Sequence, residues 1–380
     1  MKNKLSLFTT ATLFAAASHA SAQGYLNIGA NADRDFERKM PFSWTVGAQL
    51  GYDSNVGVAS SNEQESAYIS GQIGVSYASG DRRTALNYSA NYSPLWYFDA
   101  PPGVDDFQNN WRVGLDFRRR INPKLVITDS FYVAYEVEPD YQIGATVARR
   151  VDPYFYGYNS LAAAYSWNRR FSTVTAFTIS GVDYDGSGSD YITYMLSNEF
   201  RYAFSRTTTG VISYRFATTD SDAAGGDYDS HYFLAGADHQ FSPRLSGSFR
   251  AGAELREGDS TPYFEGSLTY RVSRKSELRW YTTYGFSTDG TAGGDANLRT
   301  GLTASHRFNT RWSGNLGAHY INEDNGSFDQ DTIALSAGFN YNLYKNVTIN
   351  GGYNFTTASS DNPLAEFDRS MFQLGVASKF

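Results

Sequence analysis

Hydrophobic and polar residues alternate one by one along most of this chain. In "FSWTVGAQLGY", Phe42, Trp44, Val46, Ala48, Leu50 and Tyr52 fall on one side of an extended backbone. In "LVITDSFYVAYEV" the same side holds Leu125, Ile127, Phe131, Val133, Tyr135 and Val137. "ELRWYTTYGF" and "DTIALSAGFNYNLY" repeat the pattern, and so does "MFQLGVASKF" at 371–380. A period of two predicts β-strands with one apolar face. The runs are about ten residues or longer, beyond the usual 5–6 of soluble sheets and close to the 9–11 that cross a bilayer when tilted. Asp129 breaks the pattern by falling on the apolar phase of its strand, a position that a β-bulge would explain.

The connections alternate as well. Short turns at 79–83, 119–124, 168–171, 205–208, 242–244, 273–276, 309–311 and 344–346 separate longer polar loops. Nine long loops and eight short turns imply eighteen strands. The aromatic residues also sit where strands end: Trp44, Trp167, Trp280 and Trp312 near the short turns, Trp96 and Trp111 near the long loops. Alternating polarity, aromatic girdles, short turns on one side and long loops on the other predict an all-β, antiparallel, up-and-down transmembrane barrel of about eighteen strands. An even strand number puts both termini on the short-turn side, which is the periplasmic side of such barrels. Sandwiches and propellers use shorter strands.

Composition changes this picture little. Of 380 residues, 29 are Tyr and 26 Phe, with 35 Gly and no Cys. The lack of Cys excludes disulfides, thiolate metal sites and a Cys nucleophile, and the formal charge of −7 argues against nucleic-acid binding. The start of the chain supplies an address. "MKNK", the apolar "LSLFTTATLFAAA" and "ASA" at Ala20–Ala22 have the order of a secretory signal peptide, residues 1–22. Residues 23–41 are polar without alternation and read as a periplasmic lead-in; the barrel is expected over 42–380.

Two stretches carry resemblances. The alternating tail resembles the assembly signal of bacterial outer-membrane proteins at Phe372, Leu374, Val376 and Phe380, while Ser378 departs from it. That resemblance implies outer-membrane localisation, with lipid, lipopolysaccharide, periplasmic chaperones and the barrel-insertion machinery as partners. "LGYDSNV" (50–56) resembles the "YDxNV" stretch of the Putative beta-barrel porin type 2 family, outer-membrane barrels of which some lie beside exopolysaccharide-export genes. Read from the residues alone, Asp53 and Asn55 end a strand and start a loop.

The phase opposite the apolar one should line a lumen. It holds Arg112, Asp116, Arg118, Glu199, Arg201, Arg215, Arg250, Glu254, Glu265, Arg271, Arg279 and Arg299, a mixed set with Arg in excess. A barrel of this size leaves an aqueous channel. This predicts a pore with a weak anion or mixed preference, or a wall stiffened by cross-strand ion pairs; both can hold. The third long loop, 138–153, carries Arg149, Arg150 and Asp152 and by resemblance to well-known porins would fold inward as a constriction. Four His remain after the signal segment, none in an arrangement that supports hydrolysis, and "DSDAAGGDYD" (220–229) lacks the register of a calcium loop. No enzyme, cofactor or metal is expected. The leading reading is a porin-like channel for passive diffusion of small polar solutes. Export of exopolysaccharide or another substrate, and a closed structural or adhesive barrel, are the alternatives; a homo-oligomer is open.

Overall fold

The computed structural model describes residues 42–137, 153–186, 189–223, 226–286, 296–324 and 329–380. The signal segment, the lead-in and Arg149, Arg150 and Asp152 lie outside the described residues.

Eighteen strands form one sheet. The first six are β1 (Phe42–Asp53), β2 (Ser66–Gly80), β3 (Thr84–Tyr97), β4 (Phe107–Arg120), β5 (Leu125–Glu136) and β6 (Tyr154–Ser166). Then come β7 (Phe171–Tyr184), β8 (Tyr191–Ala203), β9 (Thr208–Ser221), β10 (Tyr228–Ser242), β11 (Leu245–Arg256) and β12 (Asp259–Tyr270). The last six are β13 (Ser276–Phe286), β14 (Ala296–Arg307), β15 (Trp312–Asp324), β16 (Asp329–Asn342), β17 (Val347–Ser360) and β18 (Phe367–Lys379). Each strand pairs antiparallel with the next, and β1 pairs with both β2 and β18, so the sheet closes on itself. Closure removes the free edge, whose unpaired backbone groups hydrocarbon cannot satisfy.

The seam aligns Thr45 with Lys379 and Asp53 with Met371. It continues to the final residue: Trp44 and Phe380 exchange both backbone hydrogen bonds, at 3.0 and 2.8 Å. Phe372, Leu374, Val376 and Phe380 all point outward and are exposed, as a lipid-facing closing strand requires. The outward phase elsewhere is equally apolar, with Leu50, Ile212 and Leu316 all more than 60% exposed.

Seven of the eight short turns share one device. Asp81, Asn122, Asn168, Ser205, Ser242, Ser273 and Asn309 each accept, through a side-chain oxygen, the backbone N–H of the residue two positions on. Asp81, Asn122, Asn168, Ser205, Ser242 and Asn309 also accept the N–H three positions on. A short side chain thus imitates a turn carbonyl and fixes the hairpin. The two amides that Asp81 accepts, from Arg83 and Thr84, hold its carboxyl below the usual range.

Asp129 sits in an unbroken ladder, opposite Phe117 on one side and Leu161 on the other. A bulge is therefore not the explanation. Its outward carboxylate instead accepts a hydrogen bond from Asn159 Nδ2 at 2.9 Å. The described ladders do carry an irregularity elsewhere, between Gln240 and Ser242 on β10.

Candidate channel lumen

The inward phase is polar, and its exposure changes along β2 and β3. On β3, Asn87, Ser89 and Asn91, near the short turns, are exposed, whereas Ser93 and Tyr97 are buried. On β2, Ser76 and Gly80 are exposed while Ser66, Tyr68, Ser70 and Gln72 are buried. Among the inward residues from Tyr228 to Gln240 on β10, only Gln240 is exposed, and Asp238, the next inward residue, is buried like Ser230 and Tyr228. The interior is thus open beside β2 and β3 at the short-turn end, whereas inward Val126, Arg201, Val211, Asp238 and Arg250 near the same rim are buried.

Much of that packing comes from the first long loop, 54–65, at the root of the "LGYDSNV" stretch. Asp53 is the inward residue that ends β1 and is fully buried. Arg369, inward on β18, donates Nε to Asp53 Oδ1 at 3.0 Å and Nη2 to Oδ2 at 2.6 Å. Tyr97 donates its hydroxyl to Oδ2 at 2.9 Å, and the Asn55 backbone N–H donates to Oδ1 at 3.0 Å. Asn55, also fully buried, donates Nδ2 to the carbonyls of Ala59 (2.8 Å) and Asp368 (3.0 Å). Its Oδ1 accepts the Ala59 N–H at 2.8 Å. The carboxylate and amide therefore use their hydrogen-bonding capacity to turn the chain inward and tie it to the seam.

The rest of the loop follows. Val58 takes a φ of +47°, which β-branched residues rarely adopt. Val56 packs with inward Tyr68, Tyr97 and Met371; Val58 packs with Ala358 and Phe367. Gly51 is required here: a Cβ at that position would lie 2.1 Å from the Tyr68 ring. Ala100 and Val104, from the β3–β4 loop, close over the same cluster.

A second inward feature is a belt of ion pairs. Arg201 contacts Glu199 at 2.7 Å and also pairs with Asp238, which receives Arg250 at 2.8 Å. Arg215 forms two bonds to Glu265, at 2.9 and 2.6 Å, and Tyr263 donates to the same carboxylate at 3.0 Å. Glu254 holds Arg256 at 3.0 Å. Arg112 forks onto Glu136, Arg299 reaches Glu323 at 3.5 Å, and Arg271 and Arg279 share Glu277. Asp116 accepts the Ser130 hydroxyl at 2.9 Å. Arg118 has no carboxylate within ion-pair distance among the described residues. The wall is thus laced by ion pairs within and between strands. Glu136, Glu277 and Glu323 supply partners that alternation alone did not single out, because they lie in or beside the first or last residues of strands.

A third cluster lies between these two. Tyr154, Tyr156, Val182 and Tyr184 are buried inside the wall, with Tyr132, Tyr158 and Tyr191 against them. The four described His side chains each bond a neighbouring hydroxyl: His231 to Tyr214, His239 to Thr208, His306 to Ser276 and His319 to Tyr281. His239 and His306 meet Phe241 and Phe308 edge-on, each with ring centroids 4.5 Å apart, on the short-turn rim.

Comparison with known proteins finds one family model over part of the chain and several structural neighbours. Residues 260–380 match the family model Putative beta-barrel porin 2. The matched segment runs from β12 to the seam and does not include the "LGYDSNV" stretch. No curated protein matches in sequence. Among solved structures, OpdK from Pseudomonas aeruginosa with vanillate is 8% identical at a TM-score of 0.46, covering 89% of this chain and 99% of its own. OpdQ from Pseudomonas aeruginosa is 10% identical at 0.45, covering 89% and 98%. The siderophore receptor PirA from Pseudomonas aeruginosa is 8% identical at 0.44, covering 89% and 80%.

Proposed function

We propose that this outer-membrane barrel, similar to Putative beta-barrel porin 2 over residues 260–380, is a narrow porin-like channel for passive diffusion of small polar solutes. Its short turns, with the start of β1 and the end of β18, face the periplasm. The observation that carries this reading is the graded lumen. Along β2 and β3, inward residues are exposed at the short-turn end and packed under the first long loop at the other. A structural shell without transport has no need of a polar opening beside β2 and β3.

Eighteen strands enclose more space than side chains alone fill, since about eight suffice for a filled interior. The inward loop narrows that space locally, and the paired charges give the wall polarity with little net field. Small neutral hydroxylated solutes fit such a route better than bulky or highly charged ones.

Liposome swelling tests this. Vesicles carrying the protein should swell in isosmotic arabinose and more slowly in a trisaccharide. Equal swelling in both, or none in either, would contradict a narrow diffusion channel.

A further inference from the structure

The lipid-facing surface is mostly apolar. Beyond the three residues at each strand end, it carries only three carboxylate or amide side chains among the described residues: Asp129 on β5, Asn159 on β6 and Asn198 on β8. All three fall within four consecutive strands. Asp129 lies four residues from the short-turn end of β5, and Asn198 five from that of β8. Strand rise and tilt put both about 10–13 Å above the short-turn rim, inside a hydrocarbon band about 25 Å tall. Thr175, at the same depth on β7, accepts a hydrogen bond from Asn198 Nδ2 at 3.0 Å.

These groups are under-satisfied for such a place. Asp129 receives one hydrogen bond, from Asn159. Asn198 Nδ2 donates one of its two N–H groups to Thr175. Acyl chains offer none, so polar groups at this depth favour a protein partner. Gly157 and Ala163 on β6 and Gly181 on β7 also point outward, beside exposed Phe131, Leu161, Phe177 and Leu196. Small residues let neighbouring backbones approach closely within membranes.

We infer that the β5–β8 outer face is a two-fold interface with a second copy of this chain. One strip on one face suits an isologous contact, in which the same patch meets itself. With the axis along the membrane normal, between β6 and β7, β5 faces β8 of the partner. Asp129 then meets the partner subunit's Asn198 at matching depth, an acceptor opposite an amide, and the reverse contact forms by symmetry. A second copy carries the donors and acceptors that lipid lacks. Each protomer keeps its own lumen, so the inference stands apart from the channel reading.

The test uses the full chain, which has no Cys. Asp129→Cys with Asn198→Cys, oxidised in native outer membranes, should give a dimer band. A Leu316→Cys control on the far wall should give none. In mild detergent, light scattering should report two copies for wild type. The Asp129→Leu, Asn159→Leu, Asn198→Leu triple variant should run as one copy while remaining heat-modifiable on gels. A monomeric or trimeric wild type would overturn the inference. So would cross-linking no stronger than the control, or a triple variant that stays dimeric.

Discussion

Asp53 shows how one residue can be legible in type and illegible in role. The sequence marks it as a strand end before a loop, which is correct. Its partner Arg369 stands 316 positions away, and nothing local connects them; only closure of β1 onto β18 does. Removing one member of a buried pair leaves the other charge uncompensated, at a cost of about 3–5 kcal/mol. Arg369→Ala should therefore lower stability by about that amount, read as a lower urea midpoint for the loss of heat-modifiability. Asp53→Asn keeps the shape, so it should fold but release loop 54–65 and make it sensitive to added protease. A protease-resistant Asp53→Asn loop would count against the clasp. Asp129 teaches the opposite lesson. Alternation flagged it as an anomaly, but its partner Asn159 is visible only once β5 and β6 are set in register.

Elements were the most legible level. A membrane demands an apolar side chain at nearly every outward position, so strand number and phase are written into the alternation. The turns carried a further signal in plain view: Asp, Asn or Ser two residues before Arg, Lys or Thr, as in "DRR", "NPK" and "NTR". It escapes a hydropathy reading because it lies in backbone capture and not in polarity. A net side-chain hydrogen bond contributes about 0.5–1.5 kcal/mol. Asn309→Ala, which removes two, should cost about 1–3 kcal/mol in a urea-folding assay in lipid vesicles; no change would mean the turn is held by its strands. At the seam, deleting Phe380 removes both backbone bonds to Trp44. Export to the periplasm should persist while heat-modifiable protein in the outer membrane falls. Wild-type levels would show that the final pair is dispensable for assembly.

At the scale of the whole molecule, alternation alone names Arg112, Glu199, Arg201, Arg215, Arg250, Glu254 and Glu265 without their partners, and so suggests a more positive field than the ion pairs leave. Each has an opposite charge within reach, several supplied by residues near strand ends such as Glu136. Paired charges project little beyond a Debye length of about 8–10 Å. A salt gradient across a planar bilayer should therefore give a reversal potential near zero, and a strongly selective wild type would show unpaired charge on the path. Which loop narrows the lumen was not readable either. Loop 54–65 is polar by composition, and its two buried valines carry weight only because Asp53 and Asn55 aim them inward.

The central claim is that a conducting pore runs through this barrel and is narrowed by that loop. Single-channel recording of wild type beside a variant with residues 57–63 replaced by Gly-Gly tests it most directly. Wild type should open small, steady, voltage-independent steps. The variant should keep the heat-modifiable fold and raise the step size severalfold, with little change in reversal potential. Equal conductance in the two would contradict the constriction, and silence in both would contradict the channel.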